Sequence, residues 1–505
     1  MLVCGFSVQN AHKKIKGEAI KMDIDQFIDE KFSPIADAIA SVIFYSVPVT
    51  ENLDLMLILL WLAAAAVFFT IFLGFINFRY FKHAIDVVRG KYDDPNEHSG
   101  EISRFQALAT SLSGTVGLGN IAGVAVAVSV GGPGAVVWMI VMAFFSMSTK
   151  FAEVMLAVKY RKKRKPGDEH EVSGGPMYYL KEAFAHHNIP YLGTFTAVFF
   201  AICCIGGSLG GGNMFQANQA FEMLYGVTGG AEGPLADKGW LFGIALAFLV
   251  GVVIIGGIKS IANVASKLVP AMGVLYLAAG LVVIAIHYAN IPAAFAIIFT
   301  EAFNPAAGFG GLLGVLLVGV QRAAFSNEAG LGSAAIVHAN ANTNDSVSQG
   351  MVGMLGPFID TIIICLVTAL VIVISGAYED VDGMAGVELT SAALESGVSW
   401  FPYILAIAVF LFAYSTMITW SYYGVKAIAF LFGERPWVEL GYKLFFCLCI
   451  VVGASTKLDS IILFTDAMIF SMGIPNIIGL YLFSGVIRRE VKAYTAKLKA
   501  QQNTP

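Results

Sequence analysis

From Leu55 to Phe75 the chain runs without one charged side chain, and it does so again from Leu241 to Ile258. Each run is close to the ~20 residues that a helix needs to cross the hydrocarbon core of a bilayer. Such runs recur along the whole chain. Eleven spans are expected, at 53–78, 105–128, 133–160, 190–224, 240–257, 263–288, 310–337, 350–375, 401–432, 437–454 and 458–487. Only helices or closed barrels satisfy their own backbone in lipid, and apolar runs of this length specify helices. The fold class is therefore an all-α polytopic membrane protein. Charged residues make up 13% of the chain against roughly a quarter in soluble domains, and the mean hydropathy of +0.73 agrees. A transmembrane domain at 50–490 is expected, after an extracytoplasmic lead-in at 1–49 and before a tail at 491–505.

Positive charge orients the spans. One set of loops carries Arg79, Lys82, Arg89, Lys91, Arg104, the run Arg161–Lys165, Lys259, Lys267, Lys426, Arg435, Lys443 and Arg488–Lys499. The opposite set carries Lys238 and Lys457 but also Glu232, Asp237, Glu301, Glu379, Asp380, Asp382, Glu388 and Glu395. Lys and Arg mark the cytoplasmic side. The N-terminus is thus expected outside, the C-terminus inside, and the protein in the cell (inner) membrane. Five lysines in the first 31 residues oppose this orientation, and a translation start at Met22 would remove four of them.

Two glycine motifs stand inside apolar spans. Gly117-Leu118-Gly119-Asn120-Ile121-Ala122 returns as Gly330-Leu331-Gly332-Ser333-Ala334-Ala335, five spans later and, by the charge pattern, running in the opposite direction. Two equivalent helices of opposite direction are what an inverted repeat of five plus five spans produces, with the first span as an extra. Glycine costs a helix about 1 kcal/mol relative to alanine, so each motif is a place where a helix breaks. Polar residues gather at both, in Ser113–Asn120 and in Phe325–Ser333. A broken helix offers N–H groups to a carboxylate and carbonyls to a cation.

Several stretches resemble the alanine or glycine:cation symporter family. They are Gly114–Arg161, Gly174–Leu180, Gly212–Gln216, Phe325–Ser333, Gly356–Thr361 and Thr419–Gly424, in order along residues 50–487. The resemblance implies a five-plus-five inverted-repeat core with broken first and sixth core helices, and symport of small neutral amino acids with sodium. It implies a substrate site on Ser113, Gly114, Thr115, Gly119 and Asn120, with Gln216, Phe325, Thr416, Met417 and Trp420 around it. It also implies a sodium site on Ser415 and Thr416 with backbone carbonyls near Ser113. Sodium is co-transported, so no resident cofactor is expected.

Ionisable residues inside spans are costly and point to function. Glu328 lies in the second break, where three roles are open to it: cation ligand, acceptor for a substrate ammonium, or partner of Arg322. Asp360 stands mid-span as a gating or helix-contact candidate, with Asp466 a weaker one. Glu153 reads with Lys150 as an ion pair near the cytoplasmic end of its span. Trp420, among Ser415, Thr416, Thr419 and Ser421, reads as a pocket wall.

An enzyme is not expected. His83, His98, His170, His186 and His187 lie in connections, His287 and His338 near span ends, and no HExxH-type set exists. Cys203, Cys204, Cys365, Cys447 and Cys449 sit in apolar spans and Cys4 stands alone, without a CxxC pair. The expected partners are a small neutral amino acid, sodium and the bilayer, with no nucleic acid; no motif sets an oligomeric state. Import by alternating access is the expected mechanism, with proton coupling as the alternative.

Overall fold

The computed structural model describes residues 34, 37–50, 53–93, 99–163, 171–303, 308–379, 386–455 and 459–502. The start at Met22, residues 1–33 of the expected lead-in, and Arg164 and Lys165 of the basic run lie outside them.

The described chain is overwhelmingly helical. A short hairpin, β1 (Ser46–Thr50) and β2 (Leu53–Met56), leads into α1 (Leu57–Phe72) and an amphipathic helix α2 (Phe81–Val88). Next come α3 (Arg104–Thr115), α4 (Ala122–Gly131), α5 (Ala135–Lys159), α6 (Pro176–His186), α7 (Pro190–Leu209) and α8 (Phe215–Val227). The second half holds α9 (Gly239–Ile255), α10 (Gly257–Ile286), α11 (Gly308–Asn327), α12 (Ser333–His338) and α13 (Ser346–Ser375). It ends with α14 (Phe401–Phe432), α15 (Pro436–Gly453), α16 (Asp459–Leu482) and α17 (Ser484–Gln502).

By length and apolarity, seven described helices are able to cross a membrane, or eight with α3 and α4 taken as one bent span. Three expected spans fall short: they are the shorter apolar helices Leu57–Phe72, Gly239–Ile255 and Gly311–Asn327. Each has a local cause. The first is trimmed by the hairpin and by a left-handed turn at Gly74 and Phe75, with φ of 66° and 56°. The second ends where Gly257 turns at φ 67°, and the third ends at the second glycine motif. The last expected span stops at Leu482, and α17 carries the tail onward as a helix.

Burial sorts core from periphery. In α5, 67% of the most apolar window is buried inside the protein, against 28% in α10, so α5 is a central post and α10 faces outward. The two glycine-motif helices lie side by side with α3 against α12 and α4 against α11. First half against second half is an antiparallel arrangement.

Candidate functional site

Both glycine motifs break their helices, and each break is held open by named side chains. At the first, α3 and α4 meet at 64°. Val116 and Gly117 are extended, and one 3-10 turn, Leu118–Asn120, joins the halves. Asn120 closes the gap from within: its Oδ1 accepts the Gly117 N–H at 2.9 Å. Its Nδ2 donates to Asp360 Oδ1 at 2.8 Å, Asp360 O at 3.1 Å and Ser326 Oγ at 3.2 Å. Asp360 Oδ2 in turn accepts from Ser326 Oγ and, at 3.0 Å, from Thr361 Oγ1. Asp360 thus bolts the first break to the end of α11.

At the second break Glu328 adopts φ 53°, Gly330 85° and Gly332 82°. Positive φ is free for glycine but strained for glutamate. Charges on α5 hold this segment. Lys150 Nζ donates to the carbonyls of Asn327 at 3.0 Å and Glu328 at 3.4 Å. Glu153 Oε2 accepts the N–H groups of Gly330 at 3.1 Å and Gly332 at 3.2 Å. The two side chains also face each other at 3.5 Å. The pairing expected from the sequence is present, and both residues are fully buried against the break. Their separation of three residues within a 25-residue apolar helix was the signal for a deep role.

Between the breaks lies a cavity of about 90 Å³. Pockets for drug-sized ligands run to ~300–1,000 Å³, so this one suits a molecule of very few heavy atoms. Its floor is the first break itself, with Gly114, Thr115, Gly117, Leu118 and Gly119. Gly211, Phe215 and Gln216 form one wall, Thr416 and Trp420 a second, and Phe325 and Glu328 a third; Asp466 and Ile469 of α16 close it.

The polar groups here are oriented by local structure. Five residues in π geometry, Gly210–Met214, join α7 to α8, and Gln216 Nε2 donates to the Gly211 carbonyl there at 3.0 Å. Among the described residues its Oε1 is left as a buried acceptor without a partner, as is Thr416 Oγ1. Trp420 is fixed by an Nε1 bond to the Gly114 carbonyl at 3.2 Å. Such buried, unpartnered acceptors are rare and call for a ligand or water.

Of the residues expected at the site, Gly114, Thr115, Gly119, Gln216, Phe325, Glu328, Thr416 and Trp420 line the cavity. Ser113, Asn120, Asp360, Ser415 and Met417 do not: Asn120 and Asp360 spend their polar atoms on each other and on Gly117, Ser326 and Thr361, and Met417 is buried core. Ser113 and Ser415 face one another behind the cavity. The Arg322 partnership for Glu328 is replaced. Ser333 Oγ donates to Glu328 Oε2 at 2.6 Å, while the Arg322 guanidinium lies 5.8 Å over the Phe325 ring. Asp466, rated weak from the sequence, reaches the cavity, and Leu118 and Phe215 serve as its apolar lining.

Comparison with known proteins agrees with this architecture. The chain is 41% identical to a sodium/alanine symporter, AgcS, of Methanococcus maripaludis over 86% of this chain and 93% of that protein. It is 34% identical to a probable sodium/glutamine symporter, GlnT, of Bacillus subtilis, over 88% and 89% of the two chains. Among solved structures, MhsT in complex with L-phenylalanine shares the fold, at a TM-score of 0.51 and 13% identity, covering 78% of this chain and 99% of that one. A model of the sodium:alanine symporter family matches residues 41–505. With that match, the relatives and the several membrane-spanning helices, the chain is a multi-pass membrane transport protein and belongs to the sodium:alanine symporter family.

Proposed function

We propose that the protein imports small neutral amino acids, alanine or glycine, together with sodium by alternating access. One observation carries the reading: a cavity of about 90 Å³ whose floor is a broken helix and whose two side walls hold, at Gln216 and Thr416, acceptors without a partner among the described residues. In this reading the open backbone of the first break receives the substrate carboxylate, and Thr115 adds a hydroxyl. Gln216 Oε1, Thr416 Oγ1 and Glu328 supply acceptors for the ammonium end, and Trp420, Phe325 and Ile469 limit side-chain size. Sodium takes hydroxyl and carbonyl oxygens at Ser415 and Ser113, ligands that suit a hard cation, while Thr416, expected beside Ser415, faces the substrate cavity.

The two broken helices are the first and sixth of a five-plus-five inverted repeat preceded by α1, giving eleven spans. The antiparallel contact of α3–α4 with α11–α12 supports that assignment. The N-terminus lies outside, the C-terminus in the cytoplasm, and the bilayer is the cell (inner) membrane. The relatives' names, one sodium/alanine and one probable sodium/glutamine symporter, favour sodium and a neutral amino acid.

Proteoliposomes test the reading. Labelled alanine should accumulate only under an inward sodium gradient, where each charge moved across 100 mV is worth ~2.3 kcal/mol. Uptake that follows a pH gradient and ignores sodium would replace it with proton symport on the same architecture. Thr115→Ala, Gln216→Ala and Trp420→Ala should each lower uptake at normal expression, and wild-type rates in all three would remove this cavity as the substrate site.

A further inference from the structure

The two breaks are built alike but filled differently. The first presents Gly117, Leu118 and Gly119 to the cavity. The second has the same two kinds of backbone end, and both are already occupied by side chains of α5. The carbonyls that end α11, at Asn327 and Glu328, carry the ammonium of Lys150. The N–H groups that begin α12, at Gly330 and Gly332, carry the carboxylate of Glu153. Cation on the carbonyl end and carboxylate on the N–H end is the charge arrangement a helix dipole favours. It is also the arrangement that a bound cation and a substrate carboxylate adopt at a broken transport helix.

The pair is a closed unit. Lys150 is 1% and Glu153 0% exposed, and their mutual distance of 3.5 Å makes them neutral together. Asn476 of α16 completes it, donating to Glu153 Oε2 at 3.1 Å while its Oδ1 accepts from Tyr179. Leaving one member of such a pair alone is strongly unfavourable, because a buried charge is then uncompensated.

We propose that Lys150 is a tethered cation that fills the cation seat of the second break, with Glu153 as its tethered anion. The second break then takes no dissociable ion, and the first is left as the ligand-binding break. Replacing the lysine with alanine would expose a seat lined by two carbonyls and one carboxylate. That is an oxygen site for a hard monovalent cation such as sodium. The proposal rests on reading the protein as a cation-coupled carrier.

The test uses purified full-length protein, melted in sodium chloride against equal choline chloride, with wild type, Lys150→Ala and Lys150→Met side by side. A ligand that binds only the folded state raises the melting temperature with its concentration. Lys150→Ala should melt below wild type in choline and recover as sodium rises, with a steeper sodium response than wild type. Lys150→Met, which fills the space with an apolar chain, should stay low in both salts and fail to take up alanine. A Lys150→Ala sodium response parallel to wild type overturns the proposal, as does Lys150→Met that melts and transports like wild type. Should Lys150→Ala yield no folded protein in either salt, Glu153→Gln decides. The proposal then requires a folded variant with the alanine KM raised about tenfold and the maximal rate spared, and a wild-type KM overturns it. A wild type whose uptake ignores sodium overturns the functional reading instead, since the sodium response of Lys150→Ala relative to wild type is read from binding alone.

Discussion

Ser113 and Ser415 bond to each other's backbone: Ser113 Oγ donates to the Ser415 carbonyl at 2.7 Å, and Ser415 Oγ points back at the Ser113 carbonyl at 3.4 Å. The exchange ties α14 to the last turn of α3, immediately before the first break. Adjacent residues on a helix diverge by about 100°, and the neighbouring hydroxyl of Thr416 turns instead into the cavity. The two hydroxyls expected to act together therefore address opposite sides of the same backbone.

That divergence separates two kinetic effects. Ser415→Ala should raise the sodium concentration for half-maximal uptake about tenfold, equivalent to ~1.4 kcal/mol, with the alanine KM at saturating sodium near wild type. Thr416→Val should raise the alanine KM instead. Sodium and alanine titrations of uptake by each variant check this, and equal effects of both on both parameters would contradict it.

Gly212 is fixed by what it touches. A Cβ placed there would lie 2.3 Å from Cβ and Cγ of Trp420, so the α7–α8 junction and α14 approach through the absent side chain. Gly212→Ala must push the indole off the Gly114 carbonyl or move a helix. Overpacking of this kind costs about 1–3 kcal/mol. A lowered melting temperature, with alanine uptake reduced more than tenfold, is the expected result.

The breaks were readable because glycine acts locally: Gly117, Gly119, Gly330 and Gly332 weaken their own helices whatever packs around them. The wall at Gln216 and Trp420 was readable through resemblance, since nothing in the local sequence aims those side chains. What stayed hidden depends on contacts far apart in the chain. Asn120 looks like a ligand donor beside a break, yet it is consumed by Asp360, 240 residues away. Glu153 and Lys150 read from the sequence as a pair, but their hold on the second break appears only when residues 327–332 are placed against them. The π turn at Gly210–Met214 has a visible cause in three successive glycines, but its effect, freeing a carbonyl for Gln216, appears only in three dimensions.

The tail helix α17 docks through a titratable contact outside the spans. His83 Nε2 meets Tyr494 Oη at 2.8 Å. Burial holds the His83 pKa below its ordinary value, with Lys91 adding to the effect and Asp86 and Asp345 opposing it. A depressed histidine pKa means that the docked state favours the neutral ring. Docking is therefore fully supported above the ordinary value near 6.5 and loses support as pH falls below it. Burial pushes the Tyr494 phenol up, so it stays protonated throughout. Amide exchange in 484–502 should quicken between about pH 8 and about pH 5, after correction for intrinsic rates. His83→Gln should flatten that dependence, and an unchanged pH profile in the variant would show that another group controls docking.

Asp360 accepts from three directions and has no atom to spare. Asn120 Nδ2 approaches Oδ1 at 2.8 Å, while Ser326 and, at 3.0 Å, Thr361 approach Oδ2. Every neighbour is a donor, and Asn120 cannot turn, because its own Oδ1 is committed to Gly117 N–H. In Asp360→Asn one carboxylate oxygen becomes an NH₂ that must face a donor. Turned either way, the new amide opposes Asn120 or the hydroxyls, and only the hydroxyls are able to rotate. The amide is therefore expected to put its oxygen toward Asn120 and its NH₂ toward Ser326 and Thr361, preserving the first break at the loss of charge-assisted bonds, at about 1.5–3 kcal/mol each. Asn120→Asp has no such escape: it keeps an oxygen for the Gly117 N–H but replaces the Nδ2 donor with a second carboxylate oxygen set against Asp360. Uptake should accordingly fall in the order wild type, Asp360→Asn, Asn120→Asp, with melting temperatures in the same order. The reverse order would mean that Asp360 serves transport through its charge and not through its bonds to the break.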